Sequence, residues 1–587
     1  MIKKQKATVQ GRSMLFNILF VILNLCGLAL VVIGSHAAFQ DYFLVFNFLG
    51  YIIIALSAAG IFVFQGRLML ANVARGLVGS LFIVSGLVKA NDPIGFAYKL
   101  EEYFEDGALA YRIKELFGMP SFSFNFLIDS ALTIAILICV IEIILGVLVI
   151  IGGKIKLVSY LLALMMVFFT FLTWHTASCN PKTTFLDRDT YAITSSIAQL
   201  KIQTAKTNKS IKIVSKSSDE VVVDERKHPQ CVSDCGCFGD ALKGSVGRSL
   251  TPSESLWKDI VLVYLVFWIF LAQWIIKPNT KKQNVKFIAL SLLLITALSF
   301  VFGWYFPIGF SFIALMGALW MYNRGGYFLG NHWGSILFII ILCSIFIGYT
   351  LRYEPIKDFS PFAEGKNLMW EMNDGKEGKK DIFYVVRNNK TGVKKTYSKE
   401  AYTSNSNARL WDDKKYSIVD QTEKIIIAST DPTISDQFDP FINVKDLKNA
   451  ERNLSFVSDK LKKNPEETQL SFKKEIVREK QVVILSVQNL ETANFKNIAH
   501  LKSVFNYCKS NDIPFVMISN ASRDEINNFR AENSFNVPIL LNDGTGLKSI
   551  GRSNPSLLII QKGIVKAKYP HRSIPTVDWL KINVLKK

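Results

Sequence analysis

Four of the chain's eight cysteines fall between Cys179 and Cys237. Three crowd into His228-Pro-Gln-Cys231-Val-Ser-Asp-Cys235-Gly-Cys237-Phe-Gly239-Asp240. A disulfide closed over one residue needs a tight backbone turn that a side chain at position 236 would hinder, and Gly236 removes that obstacle. The resulting ring should be strained, and strained disulfides are the labile, oxidising ones. The chemistry implied is thiol–disulfide exchange: a substrate thiolate attacks the Cys235–Cys237 bond, a mixed disulfide forms, and the second cysteine resolves it, with Cys179 and Cys231 as a relay. The same four cysteines equally permit structural bridges, in three pairings that sequence does not separate. A metal site using His228 is disfavoured, because the three-residue and one-residue spacings do not match the common two-residue zinc knuckle.

The elements that must position these cysteines are membrane helices. With 587 residues, half of them hydrophobic, and a mean hydropathy of +0.25, the chain is too long for one domain and too apolar to be wholly soluble. Nine apolar stretches approach the roughly 20 residues that a spanning helix needs: Met14–Ile33, Tyr42–Phe64, Leu68–Val88, Leu127–Ile151, Leu157–Trp174, Ile260–Ile276, Phe287–Gly303, Pro307–Tyr322 and Trp333–Tyr349. The basic head lacks a following small-residue cleavage site, so it reads as an uncleaved anchor. A cytoplasmic N-terminus then puts Arg67, Lys154/Lys156, Lys277–Lys286 and Arg324 inside. The same parity puts Cys179–Cys237 and everything after Tyr349 outside, in an oxidising compartment. The expected location is a bacterial inner membrane, with the C-terminal region periplasmic.

Lys89–Phe104 carries apolar residues at spacings of three and four, the pattern of an amphipathic helix on the outer surface. The polar loop 175–256 includes Thr183–Val223, expected to be flexible or lightly structured. Arg75 and Glu142 are charges within apolar runs; such groups are costly and usually face a partner. Glu142 could pair with Arg75, Lys154 or Lys156, or the charges could bind a quinone oxygen or carry its proton. Lys89 and Asp129 lie nearer the outer interface, where snorkelling accounts for them. Trp174-His175 ends a span near the cysteine loop, where a histidine can take a thiol's proton. The net charge of +20 is shared about evenly between the membrane and C-terminal halves, consistent with attraction to membrane lipid and not with a nucleic-acid partner.

Five regions follow: a helical hairpin over 1–67, a four-helix membrane unit over 68–276, three additional spans over 277–350, a region of unassigned fold over 351–479, and an α/β domain over 480–587. In the last, strands at Val482–Val487, Phe515–Ser519, Val537–Leu541, Ser556–Gln561 and Ile564–Tyr569 alternate with helices before a closing hairpin. That order resembles a thioredoxin-like domain, with Asn554-Pro555 where that fold carries its cis-proline. Gln488-Asn-Leu-Glu-Thr-Ala-Asn-Phe495 lacks the family's Cys-x-x-Cys, and Cys508 does not replace it. The resemblance therefore implies a redox-dead module whose peptide-docking surface would be Ser553, Asn554 and Pro555 beside Gln488–Phe495.

Arg75-Gly-Leu-Val-Gly79, Ser85-Gly86-Leu-Val-Lys89-Ala-Asn-Asp92-Pro93 and Gly95-Phe-Ala-Tyr-Lys-Leu-Glu-Glu-Tyr, together with Cys235-Gly-Cys-Phe-Gly-Asp240, resemble the DoxX family and its MauE-like branch. The whole layout is similar to the DoxX-type proteins of Bacteroidota. The resemblance covers Leu68–Ile276 and implies association with a quinone and with disulfide redox chemistry, with Arg75, Glu142 and Lys89 as candidate quinone contacts.

The expected fold is thus a polytopic α-helical membrane protein with a DoxX-like four-helix bundle and a C-terminal extracytoplasmic thioredoxin-like domain. One function is oxidation of periplasmic protein thiols through Cys235, Cys237, Cys231 and Cys179, coupled to a quinone. The other is a non-catalytic envelope scaffold, an accessory subunit of a membrane or secretion complex, with structural disulfides and a docking domain.

Overall fold

The computed structural model describes residues 2–34, 43–63, 66–205, 210–232, 236, 239–242, 250–324, 331–369, 379–389, 391, 394–398, 402, 410, 415–427 and 438–585. The chain divides into two compact units, Met1–Phe359 and Ser360–Lys587.

In the first unit, nine helical segments among the described residues are long and apolar enough to cross a membrane. They are α1 (Ile2–Gly34), α2 (Phe43–Val63), α3 (Arg67–Asn91), α6 (Ala131–Ile151, preceded by a 3₁₀ turn from Asn125), α7 (Ile155–Ser178), α9 (Pro252–Ala272), α10 (Lys281–Phe302), α11 (Phe306–Asn323) and α12 (Asn331–Tyr353). Pro307–Tyr322, the least apolar of the sequence segments, is the core of α11. Between α3 and α6 lie two short helices, α4 (Pro93–Phe104) and α5 (Leu109–Phe117). Asp92 caps α4 by accepting from the Gly95 amide at 2.9 Å, and Pro93 stands at its first position, both favourable helix-start chemistry. Phe96, Ala97, Leu100, Tyr103 and Phe104 form its buried stripe, as the spacing predicts.

The centre of the unit is the crossing of α3 with α6. A Cβ at Gly146 would stand 2.7 Å from the Gly79 carbonyl oxygen, and one at Gly86 would stand 2.7 Å from Ile143 and 3.1 Å from the Cys139 carbonyl oxygen. Backbones this close need glycine at both contact points, the small-residue packing used where no hydrophobic force joins helices in lipid. Arg75 seals the end of this pair: its Nε donates to the Val149 carbonyl at 2.9 Å and its Nη2 to the Ile150 carbonyl and to Asn279 Oδ1. A cation on the last carbonyls of a helix satisfies orphan acceptors and complements the dipole. Pairing of Arg75 with Glu142 is therefore overturned, because the guanidinium is committed to the α6 C-terminus. At the other end of α3, Asn91 Nδ2 donates to the Lys357 carbonyl at 2.7 Å and Thr350 Oγ1 donates to the Ala90 carbonyl at 3.1 Å, which ties α12 and its exit to the α3–α4 junction.

Thr183–Val223 is structured, contrary to the sequence expectation. Strands β1 (Phe185–Ala192), β2 (Ile211–Lys216) and β3 (Glu220–Lys227) form an antiparallel sheet in the order β1-β3-β2. On it packs α8 (Ser196–Thr204), burying Ala198 with Ile211, Val221 and Val223. The many Lys, Ser and Thr residues hide a three-strand core of only a few apolar side chains. Ion pairs complete it: Arg188 with Asp224 at 2.6 Å, and buried Asp187 with both Lys114 of α5 and Lys227 of β3. Burial pulls the Lys227 ammonium down, but Asp187 and Asp189 outweigh it and hold the group above its ordinary value.

In the second unit, β4 (Lys379–Asn388), β5 (Lys394–Ser398) and β6 (Tyr416–Ile427) form an antiparallel sheet in the order β5-β4-β6. The larger sheet runs β13-β12-β9-β10-β11-β7-β8. Its members are β7 (Phe441–Asn443), β8 (Gln469–Ser471), β9 (Gln481–Val487), β10 (Phe515–Ser519), β11 (Ile539–Leu541), β12 (Ser556–Gln561) and β13 (Ile564–Pro570). Strands β9, β10 and β11 are parallel and the other pairings antiparallel. Successive residues of β9 feed opposite cores: Val482 and Ile484 one, Val483 and Leu485 the other, the period of two expected of a strand. Helices Ile498–Ser510, Arg523–Asn533 and Val577–Asn583 cover the second face through Leu501, Val504, Phe529 and Leu580. The edge of β13 is closed by residues 365–368, whose backbone pairs with Val565 and Gly563, so it offers no free ladder to another chain. The sheet reaches back past residue 480, through two strands of three residues each that no sequence window marks.

The glycine crossing gives a direct test. Gly146→Leu must move the α3 backbone and should cost at least the 1–3 kcal/mol of overpacking. Gly348→Leu, on a glycine with no atom within 4 Å of its would-be Cβ, should be tolerated. Comparable melting temperatures of the two purified variants would refute this account of the crossing.

Candidate functional site

The loop that follows α7 is pinned before it reaches the Cys-Gly-Cys turn. Cys179, extended just past the helix end, is bonded to Cys231 with a Cα–Cα distance of 5.6 Å. That bridge encloses the whole β1–α8–β2–β3 sheet. It also settles one of the three pairings, leaving Cys235 and Cys237 as the two remaining cysteines of the loop. Those two lie outside the described residues. Gly236 between them is described, and its φ of +64° is the left-handed conformation that favours glycine.

The loop is seated on α4 and the turn after it. The Gln230 amide donates to the Gly107 carbonyl at 2.7 Å. Val232 is buried with Tyr103, Ala108, Leu109, Phe169 and Leu172. A Cβ at Gly236 would lie 3.3 Å from Lys99 Cγ and 3.8 Å from the Phe96 ring, so the turn rests on the Phe96–Lys99 face of α4. The Lys99 stem packs on the turn, and its ammonium pairs with Glu102 at 2.8 Å. The sequence pattern of α4 marked its apolar face but gave no sign of Lys99 as a neighbour of the Gly236 turn.

Beneath Phe96 lies the buried ion pair. Lys89 Nζ is 5.5 Å from the Phe96 ring centre and 4.7 Å from that of Phe169. It donates to Glu142 Oε1 at 2.5 Å and to Ser85 Oγ at 2.9 Å. Both charged side chains are at most 3% exposed, so Lys89 does not snorkel. Glu142 Oε2 has no hydrogen-bond partner. It faces a cavity of about 30 Å³ that Ser85, Lys89, Glu142, Lys258, Asp259 and neighbouring apolar residues line. That volume exceeds the ~10–15 Å³ a water requires and is far below the ~300 Å³ of small ligand pockets. Asp259 closes the far side, bound to Lys258 at 3.0 Å and accepting from Thr173 Oγ1 at 3.0 Å. Asp259 stands at the edge of an apolar run, a signal of the kind that singled out Arg75 and Glu142.

The predicted site residues thus sort into two places. Cys179, Cys231 and the Gly236 turn share one end of the bundle with Lys89 and Glu142, Phe96 lying between them. Arg75 is fourteen residues from Lys89 on α3, about 21 Å along the axis, and belongs to a separate helix-end seal. His175 is fully buried between the rings of Tyr103 and Tyr111, one turn before Cys179, and neither of its nitrogens has a partner. His228 is exposed, its Nδ1–H donating to the Thr183 carbonyl at 2.9 Å. No group of three or more metal-ligating side chains occurs among the described residues. In the second unit, Asn554 is stitched to the loop after β9: its Oδ1 accepts from the Gln488 amide at 3.0 Å and its Nδ2 donates to the Asn489 carbonyl at 2.7 Å. The Asn554–Pro555 peptide is cis. Ser553 Oγ accepts from the His571 amide at 3.2 Å, and Pro555 is buried.

Lys89 and Glu142 allow structure and function to be separated. Removing one partner strands a buried charge at a cost of about 3–5 kcal/mol, whereas replacing both by apolar groups is often neutral. Lys89→Met and Glu142→Leu should each lower thermal stability, and the double variant should recover most of it. Equal losses in all three would show that the pair does not act as a unit.

With that geometry in hand, the comparisons are short. No curated protein and no solved structure matches the chain. Residues 67–178 match the family model of the methylamine utilisation protein MauE, a stretch that contains Arg75, Lys89 and Glu142 and ends just before Cys179, so that none of the four loop cysteines falls within it. Over α3 to α7, then, the chain is similar to a family of membrane methylamine-utilisation proteins.

Proposed function

We propose that this is a membrane thiol–disulfide oxidoreductase whose exchanging pair is Cys235 and Cys237. The observation that carries the reading is the Cys179–Cys231 bridge: it uses two of four loop cysteines and leaves the pair flanking a left-handed glycine. In the exchange, two substrate thiols lose two electrons and two protons, becoming a disulfide, while the Cys235–Cys237 bond is reduced to a dithiol. Reoxidation requires a two-electron acceptor, and a quinone drawn from the bilayer becomes quinol by taking the two electrons and two protons. The cavity beside Glu142 has room for water and not for a quinone ring. Lys89 and Glu142 are therefore assigned to proton handling and positioning.

The orientation proposed is that of a bacterial inner-membrane protein with the cysteine loop and second unit on the periplasmic side. Its support is the Lys and Arg residues gathered at the helix ends assigned to the cytoplasm, Arg67, Lys154, Lys156, Lys281, Lys282, Lys286 and Arg324. The parallel β9–β10–β11 core, antiparallel β12–β13 hairpin and flanking helices support a thioredoxin-like reading of the second unit. Its lone cysteine, Cys508, is fully buried, and burial pushes the thiol up to about 12, which suppresses exchange chemistry there. We assign this unit to docking of an extended peptide at Ser553–Pro555 and the loop after β9.

The second reading, an envelope scaffold with structural disulfides, is favoured by that inert unit. Two experiments divide the readings. With an added thiol oxidant to take up the two electrons and two protons, Cys237→Ser should trap a thiol substrate on Cys235 as a mixed disulfide that reductant releases. Full cellular function in both single variants, with nothing trapped, would remove the oxidoreductase reading. Separately, deletion of 360–587 should strip periplasmic partners from the purified complex; an unchanged partner set would end the docking assignment.

A further inference from the structure

A second cavity of the membrane unit lies away from the cysteines. It is a groove of about 910 Å³ between α1, α3 and α10, within the size range of ligand sites. Met14 of α1, Leu68, Met69, Val73 and Leu77 of α3, and Leu290, Leu293 and Leu294 of α10 make it chiefly apolar. Its polar groups, Asn17 and Asn72, lie toward the start of α3. Asn72 is engaged with Arg75 at 3.0 Å, but Asn17 Oδ1 is buried without a hydrogen-bond partner. Arg67, between the lining residues Gly66 and Leu68, is turned over the Phe62 ring at 5.5 Å. The exposed Lys281, Lys282 and Lys286 begin the α10 wall. A groove walled by spanning helices, apolar along its length, basic at the α10 end and holding an unspent acceptor there, fits an amphiphile of matching chemistry.

We propose that the groove holds one anionic phospholipid. Its acyl chain would lie along α3 and α10, its phosphodiester near the α10 lysines, and a headgroup hydroxyl near Asn17. The anionic charge answers the basic end, where each Lys or Arg near a headgroup contributes about 1 kcal/mol. A hydroxyl answers the acceptor that a zwitterion lacking a hydroxyl would meet less well. Gly76 is a lining residue whose would-be Cβ has no atom within 4 Å. A large side chain there would occupy the lipid's space without striking the protein.

The test uses the full-length protein in mild detergent, with native mass spectrometry and reconstitution into vesicles of phosphatidylcholine with or without phosphatidylglycerol. Wild type should retain about one phosphatidylglycerol per chain and melt higher in the vesicles that contain it. Gly76→Phe and, from the other wall, Leu290→Trp should remove both effects while keeping the Cys179–Cys231 bridge and the monodisperse elution of wild type. Lys286→Gln should weaken the preference for phosphatidylglycerol over phosphatidylcholine about fivefold. Retention of only a quinone or a zwitterionic lipid, or equal retention in wild type and both filled variants, would overturn the proposal. None of these outcomes depends on thiol exchange, so the two proposals stand or fall separately.

Discussion

Everything in the membrane unit hangs on how closely α3 approaches α6. Glycines at 79, 86 and 146 let two backbones meet, and the gain in van der Waals contact is what holds helices together in lipid. Closeness then makes other demands. The carbonyls that end α6 come within reach of Arg75, and Glu142, on the buried side of α6, comes against Lys89. Neither charge would be tolerable in an apolar setting alone. Each is tolerable because the crossing supplies a partner at hydrogen-bonding distance, so the glycines and the charges are one device.

That device also explains why α4 sits where it does. Lys89 is nearly the last residue of α3, and Asp92-Pro93 turns the chain at once into a new helix whose Phe96 covers the Lys89 ammonium. The Phe96–Lys99 face of the same helix also receives the Gly236 turn. A low-dielectric wall strengthens the pull of any nearby charge. The Gly236 turn stands one aromatic ring from a buried ion pair.

How much of this was legible in the sequence depends on the range of the forces involved. The nine spans were readable because length and apolarity are properties of a local run. The strands at 481–487, 515–519, 556–561 and 564–570 were readable for the same reason. The Cys179–Cys231 pairing was not, because three connectivities share one spacing. Lys89 with Glu142 was not either: the partners lie 53 positions apart, and only the crossing angle and register of two helices decide which charge meets which. The sheet inside 183–227 was missed for a third reason. Its core is a handful of side chains, and many of its other contacts are ion pairs such as Arg188 with Asp224, whose residues individually look like solvated loop.

The two halves of the α3 surface separate what a single conserved-looking motif would merge. Arg75 and Lys89 belong to one stretch of sequence and both lie on buried faces of one helix, yet about 21 Å of helix stands between them. The Arg75 end adjoins an apolar groove and a row of lysines; the Lys89 end adjoins a cysteine loop and a cavity the size of a water. A lipid-soluble molecule matches the dimensions of the first and water those of the second. Under the proposed exchange, thiols react only through contact between sulfur and its partner, so an acceptor for their electrons would have to approach the Lys89 end from the bilayer side. The groove, by its distance along α3, is left free for a different occupant.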